Sequence, residues 1–271
     1  MKRIKAYHII IRTLCAILII IVILLIIIFG NGFFELGFIN SDIEQFINNC
    51  EYEKTINYGE YEINLYSKKA FYEYEKNNYI DTIQIKDDTI YLGNKSDIII
   101  TNRNPYGRVG SAFISDVVGM FTTPLNSGHA TVNIDSESII ECVGNSDNNV
   151  VRIVNNEWFE DIIKYGEEKE NYIGLRIKDF DNDKRNEFVR LLNNELGKKY
   201  TFSFLIHSKD TFYCTDLITR TIKKMDLKLN YDSFIATGND ILISNNTFII
   251  FVVRKVDFKN KVINLYYMKE E

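Results

Sequence analysis

Residues 209–218 read KDTFYCTDLI and place a cysteine where a helix is predicted to begin. Asp210 or Thr211 is suited to be the N-cap, and apolar positions with helical spacing follow from Leu217 onward. Cys214 therefore falls in the first turn, where the helix dipole and free backbone N–H groups favour a thiolate. A lone cysteine on the inward face of a helix is more often a small buried hydrophobe, so a nucleophile requires partner residues elsewhere.

A predicted β-hairpin contains residues that could be such partners. Polar and apolar residues alternate along 129–134 and again along 138–143. If the loop is 135–137, Glu141 lies diagonal to His129 on the same face, about 7 to 8 Å away along the backbone, which long polar side chains can bridge. A loop one residue longer would turn Glu141 to the opposite face, because side chains alternate along a strand. A histidine at the start of a strand is also commonly a structural residue.

The composition is that of one folded domain with accessory segments. The chain has 271 residues, of which 46% are hydrophobic, and it contains two prolines. Many β-branched and aromatic residues in short strand-like runs predict an α+β domain. The net charge of −5 argues against nucleic acid as a partner. The histidines at 8, 129 and 207 form no zinc-binding spacing with the cysteines, so neither a metal nor a cofactor is expected.

The first thirty residues are predicted to be a membrane anchor. Basic residues flank an uncharged run at 13–29 that, together with 9–11, approaches the ~20 residues needed to cross a bilayer. The basic flank predicts a cytoplasmic N-terminus and an extracytoplasmic remainder. A cleavable signal peptide is the alternative, but the apolar run is long for one and no small-x-small cleavage pattern follows it. A single-pass protein of the cell membrane is therefore expected.

The chain is predicted to have three segments. They are a cytoplasmic basic flank and transmembrane anchor at 1–30, a juxtamembrane or accessory segment at 31–95, and the main domain at 96–271. The irregular stretch 102–128 is either a binding loop or lid, as so long a connection usually is, or a short core helix. A disulfide between Cys50 and Cys142 would leave Cys214 as the free thiol of the exported part.

Several short motifs occur in an order typical of one family. They are SDIIIT at 96–101, GHA at 128–130, IE at 140–141, Trp158, GKKY at 197–200 and FYCTDL at 212–217. Together they resemble the circularly permuted papain-like amidases of the YiiX/YycO type, in the NlpC-like cysteine peptidase superfamily. The resemblance covers roughly residues 96–251. It lies in the order and spacing of the motifs, and Ser96, where the family has glycine, is a mild departure.

The resemblance implies a circularly permuted papain-like fold, in which an antiparallel sheet packs on helices and the histidine strand precedes the cysteine helix. Cys214 would be the nucleophile, His129 the base and Glu141 the group that orients the imidazole. Tyr200 and Tyr213 would line the substrate site, or only pack against it.

The expected function is that of a membrane-anchored, extracytoplasmic thiol hydrolase that cleaves an amide or peptide bond, with a peptide or cell-wall murein as the candidate substrate. Two alternatives stay open. One is a lipid-directed thiol acyltransferase or esterase, and the other is a non-catalytic binding module on the same fold.

Overall fold

A computed structural model describes residues 2–77, 79–86, 89–101, 128–144, 149–165, 171–203, 208–230, 236–257 and 259–270. For 2–9, 25, 27–29, 31–33, 165 and 255–257, only the backbone is described. The predicted loop or lid at 102–128 lies outside these residues, except for Gly128.

The described part of the chain contains one long helix, five shorter helices and thirteen strands. The helices are α1 (Lys2–Asn48), α2 (Glu73–Asn77), α3 (Trp158–Tyr165), α4 (Asn182–Asn193), α5 (Cys214–Lys223) and α6 (Gly238–Leu242). The strands are β1 (Glu51–Tyr58), β2 (Tyr61–Lys69), β3 (Ile83–Lys86), β4 (Thr89–Leu92), β5 (Ile98–Thr101), β6 (His129–Asn133), β7 (Ser138–Cys142), β8 (Val151–Asn155), β9 (Asn171–Ile177), β10 (Lys199–Tyr200), β11 (Thr211–Phe212), β12 (Thr247–Asp257) and β13 (Val262–Lys269).

Within the described residues, nine strands form one large sheet in the order β1-β2-β13-β12-β9-β5-β6-β7-β8. The expectation of an antiparallel sheet is wrong in one respect, because β13 and β2 are parallel, in register from Val262 opposite Glu62 to Lys269 opposite Lys69. The sheet is therefore mixed, and the fold is a mixed α/β fold. Two smaller pairs accompany the large sheet: the predicted hairpin β3–β4 and the parallel pair β10–β11.

Helices cover both faces of this sheet. On one face, α4, α5 and α6 pack with the end of α1 on residues such as Val132 and Ile140. On the other face, α3 and strand β4 pack on residues such as Ile99 and Ile139. Neighbouring residues of one strand thus contribute to different cores, as expected from the alternation of side chains. Cys214, at the start of α5, belongs to the first face.

The expected N-terminal anchor is wrong. Helix α1 runs for 47 residues, and its last part lies in the core of the domain, where Ile39, Ile43 and Phe46 are buried. The predicted apolar segment is therefore continuous with a helix that packs on the sheet, and the short helix expected at 41–49 is the end of α1. Across the described residues, we find no helix with the length and apolar character that spanning a membrane requires. This finding contradicts three further predictions made from the segment: the single-pass topology, the membrane as a partner and the cell-membrane localisation.

A buried ion pair joins β9 to the start of β5. The Nε and Nη2 atoms of Arg176 donate to the two carboxylate oxygens of Asp97 at 2.8 and 2.7 Å. The side chains are 1% and 0% exposed. Arg185 of α4 approaches the same carboxylate at 3.9 Å and donates to the carbonyl of Lys95. Asp97 therefore ties the two central strands to a helix.

We expect the substitution Asp97→Asn to destabilise the fold by about 3 to 5 kcal/mol, because it leaves the buried guanidinium of Arg176 without a counter-charge. The free energy of unfolding, measured in urea, tests this. The matched control is Glu187→Gln, which breaks the exposed pair with Arg190 and should change stability little. Equal losses in the two variants would contradict the expectation.

Candidate active site

Cys214 is the first residue of α5. The N-cap is Tyr213, in an extended conformation, and within the described part of the chain its side chain makes no capping hydrogen bond. Asp210 and Thr211 are not the N-cap, because Thr211 and Phe212 form strand β11 against β10 and the chain enters the helix directly from that strand. The placement of Cys214 in the first turn nevertheless agrees with the sequence prediction.

His129 and Glu141 face each other across the β6–β7 hairpin. Val132 pairs with Ile140, and the backbone N–H of Ile134 donates to the carbonyl of Ser138 at 2.9 Å, which is the register of the three-residue loop. Nε2 of His129 and Oε2 of Glu141 lie 2.8 Å apart. Their side chains are 15% and 10% exposed, so the pair is largely shielded from water.

The thiol of Cys214 meets the other side of the imidazole. Cys214 and His129 are hydrogen-bond partners, and since Nε2 faces Glu141, the ring nitrogen left for the sulfur is Nδ1. Backbone N–H groups of Ala130 and Thr215 also hydrogen-bond the sulfur. The structure thus brings together the three side chains singled out in the sequence, from a helix start and from two strands.

The electrostatics of the three groups favour an ion pair. Burial disfavours the thiolate, but the hydrogen bond and positive charge of His129 lower the pKa of Cys214 below the ordinary thiol value. Burial likewise disfavours the imidazolium, yet hydrogen bonds and charges from Cys214 and Glu141 raise the pKa of His129 to about 9. Burial also opposes ionisation of Glu141, but His129 and Arg152 hold its pKa below the usual value. Together these shifts favour the thiolate, the imidazolium and the carboxylate over their neutral forms.

Two further residues contact this group. Arg152, directly opposite Glu141 in β8, donates from Nε and Nη2 to Oε1 of Glu141 at 2.9 and 2.7 Å. The ring of Trp158 lies beside that of His129, with centroids 6.0 Å apart, and its Nε1 donates to Thr131 at 3.0 Å. Sequence reasoning placed Trp158 among the family motifs, but it missed Arg152. Nothing in the sequence around Arg152 fixed the register of its strand against β7.

A cavity of about 480 Å³ opens beside the His129–Glu141 pair and gives a substrate room to approach it. Arg152, Trp158 and Asp161 also line it. A larger cavity of about 820 Å³ runs along the outer side of α5 and contains none of the three central side chains. The smaller cavity therefore borders the candidate site through His129 and Glu141, and Cys214 is not among its described lining residues.

Tyr200 and Tyr213 occupy different places. Tyr213 is 2% exposed, and its hydroxyl accepts a hydrogen bond from the backbone N–H of Ala236 at 3.1 Å. Tyr200 is half-buried and packs edge to face on Phe202, with ring centroids 4.9 Å apart. A role for either in substrate binding stays a prediction.

The other thiols are separate from the site. Cys50 and Cys142 are both free, and their sulfurs donate to the carbonyls of Phe46 and Phe212 respectively. The disulfide considered between them is not formed. Burial raises the pKa of each thiol to about 12, so neither is primed as a nucleophile. Among the described residues, we find no group of three or more His, Cys, Asp or Glu side chains arranged to hold a metal ion.

Comparison with known proteins finds a weak structural similarity. No protein-family model matches the chain, and no curated protein matches it. Among solved structures, the metalloprotein yiiX from Escherichia coli O157:H7 is similar, with 13% sequence identity and a TM-score of 0.40. The match covers 58% of this chain and 96% of that one. A likeness at this level carries no argument about family or function.

We expect Tyr213→Phe to lower the free energy of unfolding by about 1 to 3 kcal/mol, because it leaves the buried N–H of Ala236 without an acceptor. Alkylation of Cys214 should keep its wild-type rate. Urea denaturation and thiol labelling of the same preparation measure the two effects. A change in labelling with unchanged stability would instead favour a role for Tyr213 in the site.

Proposed function

We propose that the protein is a thiol hydrolase that cleaves an amide bond through a covalent acyl-enzyme on Cys214. The observation that carries this proposal is the hydrogen-bonded series from Cys214 through His129 to Glu141. It supplies a nucleophile, a base and an orienting carboxylate, which are the parts that nucleophilic catalysis by a thiol requires.

In the first half of the reaction, the Cys214 sulfur attacks the carbonyl carbon of the substrate and forms a tetrahedral intermediate. The developing oxyanion lies near the backbone N–H of Cys214, which is unpaired within the helix because it belongs to the first turn. The imidazolium of His129 then donates its Nδ1 proton to the leaving amine, and the C–N bond breaks to leave a thioester.

In the second half, neutral His129 takes a proton from water, and the hydroxide attacks the thioester carbonyl. Collapse of the second tetrahedral intermediate releases the acid and restores the thiolate and the imidazolium. Throughout, the carboxylate of Glu141 holds Nε2–H and thereby keeps Nδ1 directed at the sulfur.

The identity of the substrate is not part of this proposal. Nothing in the described residues supports a murein or peptide substrate in particular. The lipid-directed alternative depended on apolar residues 117–121, within the stretch 102–128, and on the membrane anchor. Residues 117–121 lie outside the described part of the chain, and the anchor is wrong. A non-catalytic binding module is the outcome that the following experiments would support if the thiol proves unreactive.

We expect Cys214 to be alkylated rapidly well below the free-thiol pKa of ~8.5, because its thiolate is stabilised by the imidazolium. Iodoacetamide labelling of the whole chain against pH, read for each cysteine by peptide mass spectrometry, measures this. Cys50 and Cys142 are internal controls that should stay unlabelled. His129→Ala should slow labelling of Cys214 at pH 6 by about tenfold or more. Ordinary thiol titration, indifferent to His129, would overturn the proposal.

Hydrolysis should show a different pH dependence from alkylation. The leaving amine needs the imidazolium proton, so the rate should fall as the pH rises through about 9, the raised pKa of His129, whereas alkylation should not. A panel of peptidyl aminomethylcoumarin amides and p-nitrophenyl esters provides the assay. Cys214→Ala should reduce turnover by at least about a thousandfold with the fold retained. Undiminished turnover in this variant would exclude Cys214 as the nucleophile.

A further inference from the structure

Arg152 holds the carboxylate of Glu141 from the side away from His129. Both Nε and Nη2 of Arg152 donate to Oε1, at 2.9 and 2.7 Å, while Oε2 faces Nε2 of His129 at 2.8 Å. Each oxygen of Glu141 therefore has a different partner. The contact follows from the sheet itself, because Glu141 and Arg152 are directly opposite each other in β7 and β8.

Such a partner matters because a glutamate does not orient itself. The terminal torsion of a glutamate side chain has a broad, roughly two-fold distribution, so the carboxylate can rotate away from a hydrogen-bond donor. Glu141 borders the 480 Å³ cavity and has room to do so. A guanidinium is a rigid donor group, so its two donors fix the position of Oε1, and with Oε2 held by His129 the orientation of the carboxylate is set.

Resting on the proposed function, we propose that Arg152 is a positioning residue of the active site. It fixes Glu141 so that Oε2 holds the imidazole of His129 toward Cys214. Within the part of the chain that the structure describes, Arg152 hydrogen-bonds Glu141 and neither the sulfur nor the imidazole, so it acts through Glu141.

The charge of Arg152 and its hydrogen-bond geometry predict opposite effects on the ion pair of His129 and Cys214. A cation beside Glu141 partly cancels the negative charge that stabilises the imidazolium, so removal of the charge alone would strengthen the ion pair of His129 and Cys214. Loss of orientation would weaken that pair. The other charged groups at the cavity, Glu157 and Asp161, are unchanged by the substitution. The sign of the effect therefore separates the two roles.

The test is the pH profile of Cys214 alkylation in the full chain carrying Arg152→Gln. We expect the acidic limb to move up by about one pH unit, which is about a tenfold slower reaction at pH 6, with the same plateau at high pH. Arg152→Lys keeps the charge, but an ammonium lacks the rigid pair of donors of a guanidinium. This variant should therefore recover only part of the loss in labelling rate. An unchanged profile, or faster labelling at pH 6, would overturn the proposal.

A double-mutant cycle tests whether Arg152 acts through Glu141. In the background of Glu141→Gln there is no carboxylate to orient, so adding Arg152→Gln should change the labelling rate by less than about twofold. A full further loss in that background would mean that Arg152 acts independently, and would overturn the proposal.

The matched control is Arg254→Gln. Arg254 lies in β12 of the same sheet, separated from β6 by β9 and β5, and pairs with Glu44 at 2.9 Å. Its exposure of 29% is close to the 38% of Arg152. This variant should label as wild type. The melting temperature of every variant shows that the comparison is made between folded proteins.

The set also distinguishes this proposal from the proposed function. If His129→Ala slows labelling and Arg152→Gln does not, the activated thiol stands and the role of Arg152 is wrong. If Cys214 of the wild type titrates as an ordinary thiol and neither variant changes its labelling rate, the proposed function itself fails.

Discussion

The buried ion pair between Asp97 and Arg176 fixes how the central strands meet. Burying two charges costs desolvation energy that their attraction offsets only when the geometry is good, so such a pair contributes more to specificity than to net stability. Here it sets the register of β5 against β9, and the backbone N–H of Asn133 donates to the carbonyl of Asp97 at 2.9 Å. Because β5 pairs on its other edge with β6, the same contact determines where His129 lies.

The candidate site has a simple electrostatic arrangement. In the form that the pKa shifts favour, charges alternate from the edge of the sheet to the helix: Arg152 positive, Glu141 negative, His129 positive and Cys214 negative, followed by the positive end of the α5 dipole. Glu141 and His129 are largely shielded from water, where an uncompensated charge is costly, whereas Arg152 is 38% exposed. Burial by itself disfavours the thiolate, so it is the interaction with His129 that lowers the pKa of Cys214.

Local patterns predicted the parts of the fold that depend on near neighbours. The register of the three-residue loop, one of the two considered for the hairpin, and the position of Cys214 in a first turn both agree with the structure. Features that depend on distant segments were not predictable. Packing between segments far apart in sequence decides three such features: the parallel pairing of β2 with β13, the strand that precedes α5, and the opposition of Arg152 to Glu141. The anchor was mispredicted because an apolar run shows composition but not that its helix continues into the core.

The order of the elements along the chain has a consequence for biosynthesis. His129 and Glu141 belong to one hairpin, only 12 residues apart, whereas Cys214 follows β8, β9 and α4. A chain emerging from the ribosome therefore carries this imidazole and this carboxylate before it carries the sulfur of Cys214. The interaction that lowers the pKa of Cys214 requires α5 to pack against the sheet, so this thiol acquires its shifted pKa only in the folded domain.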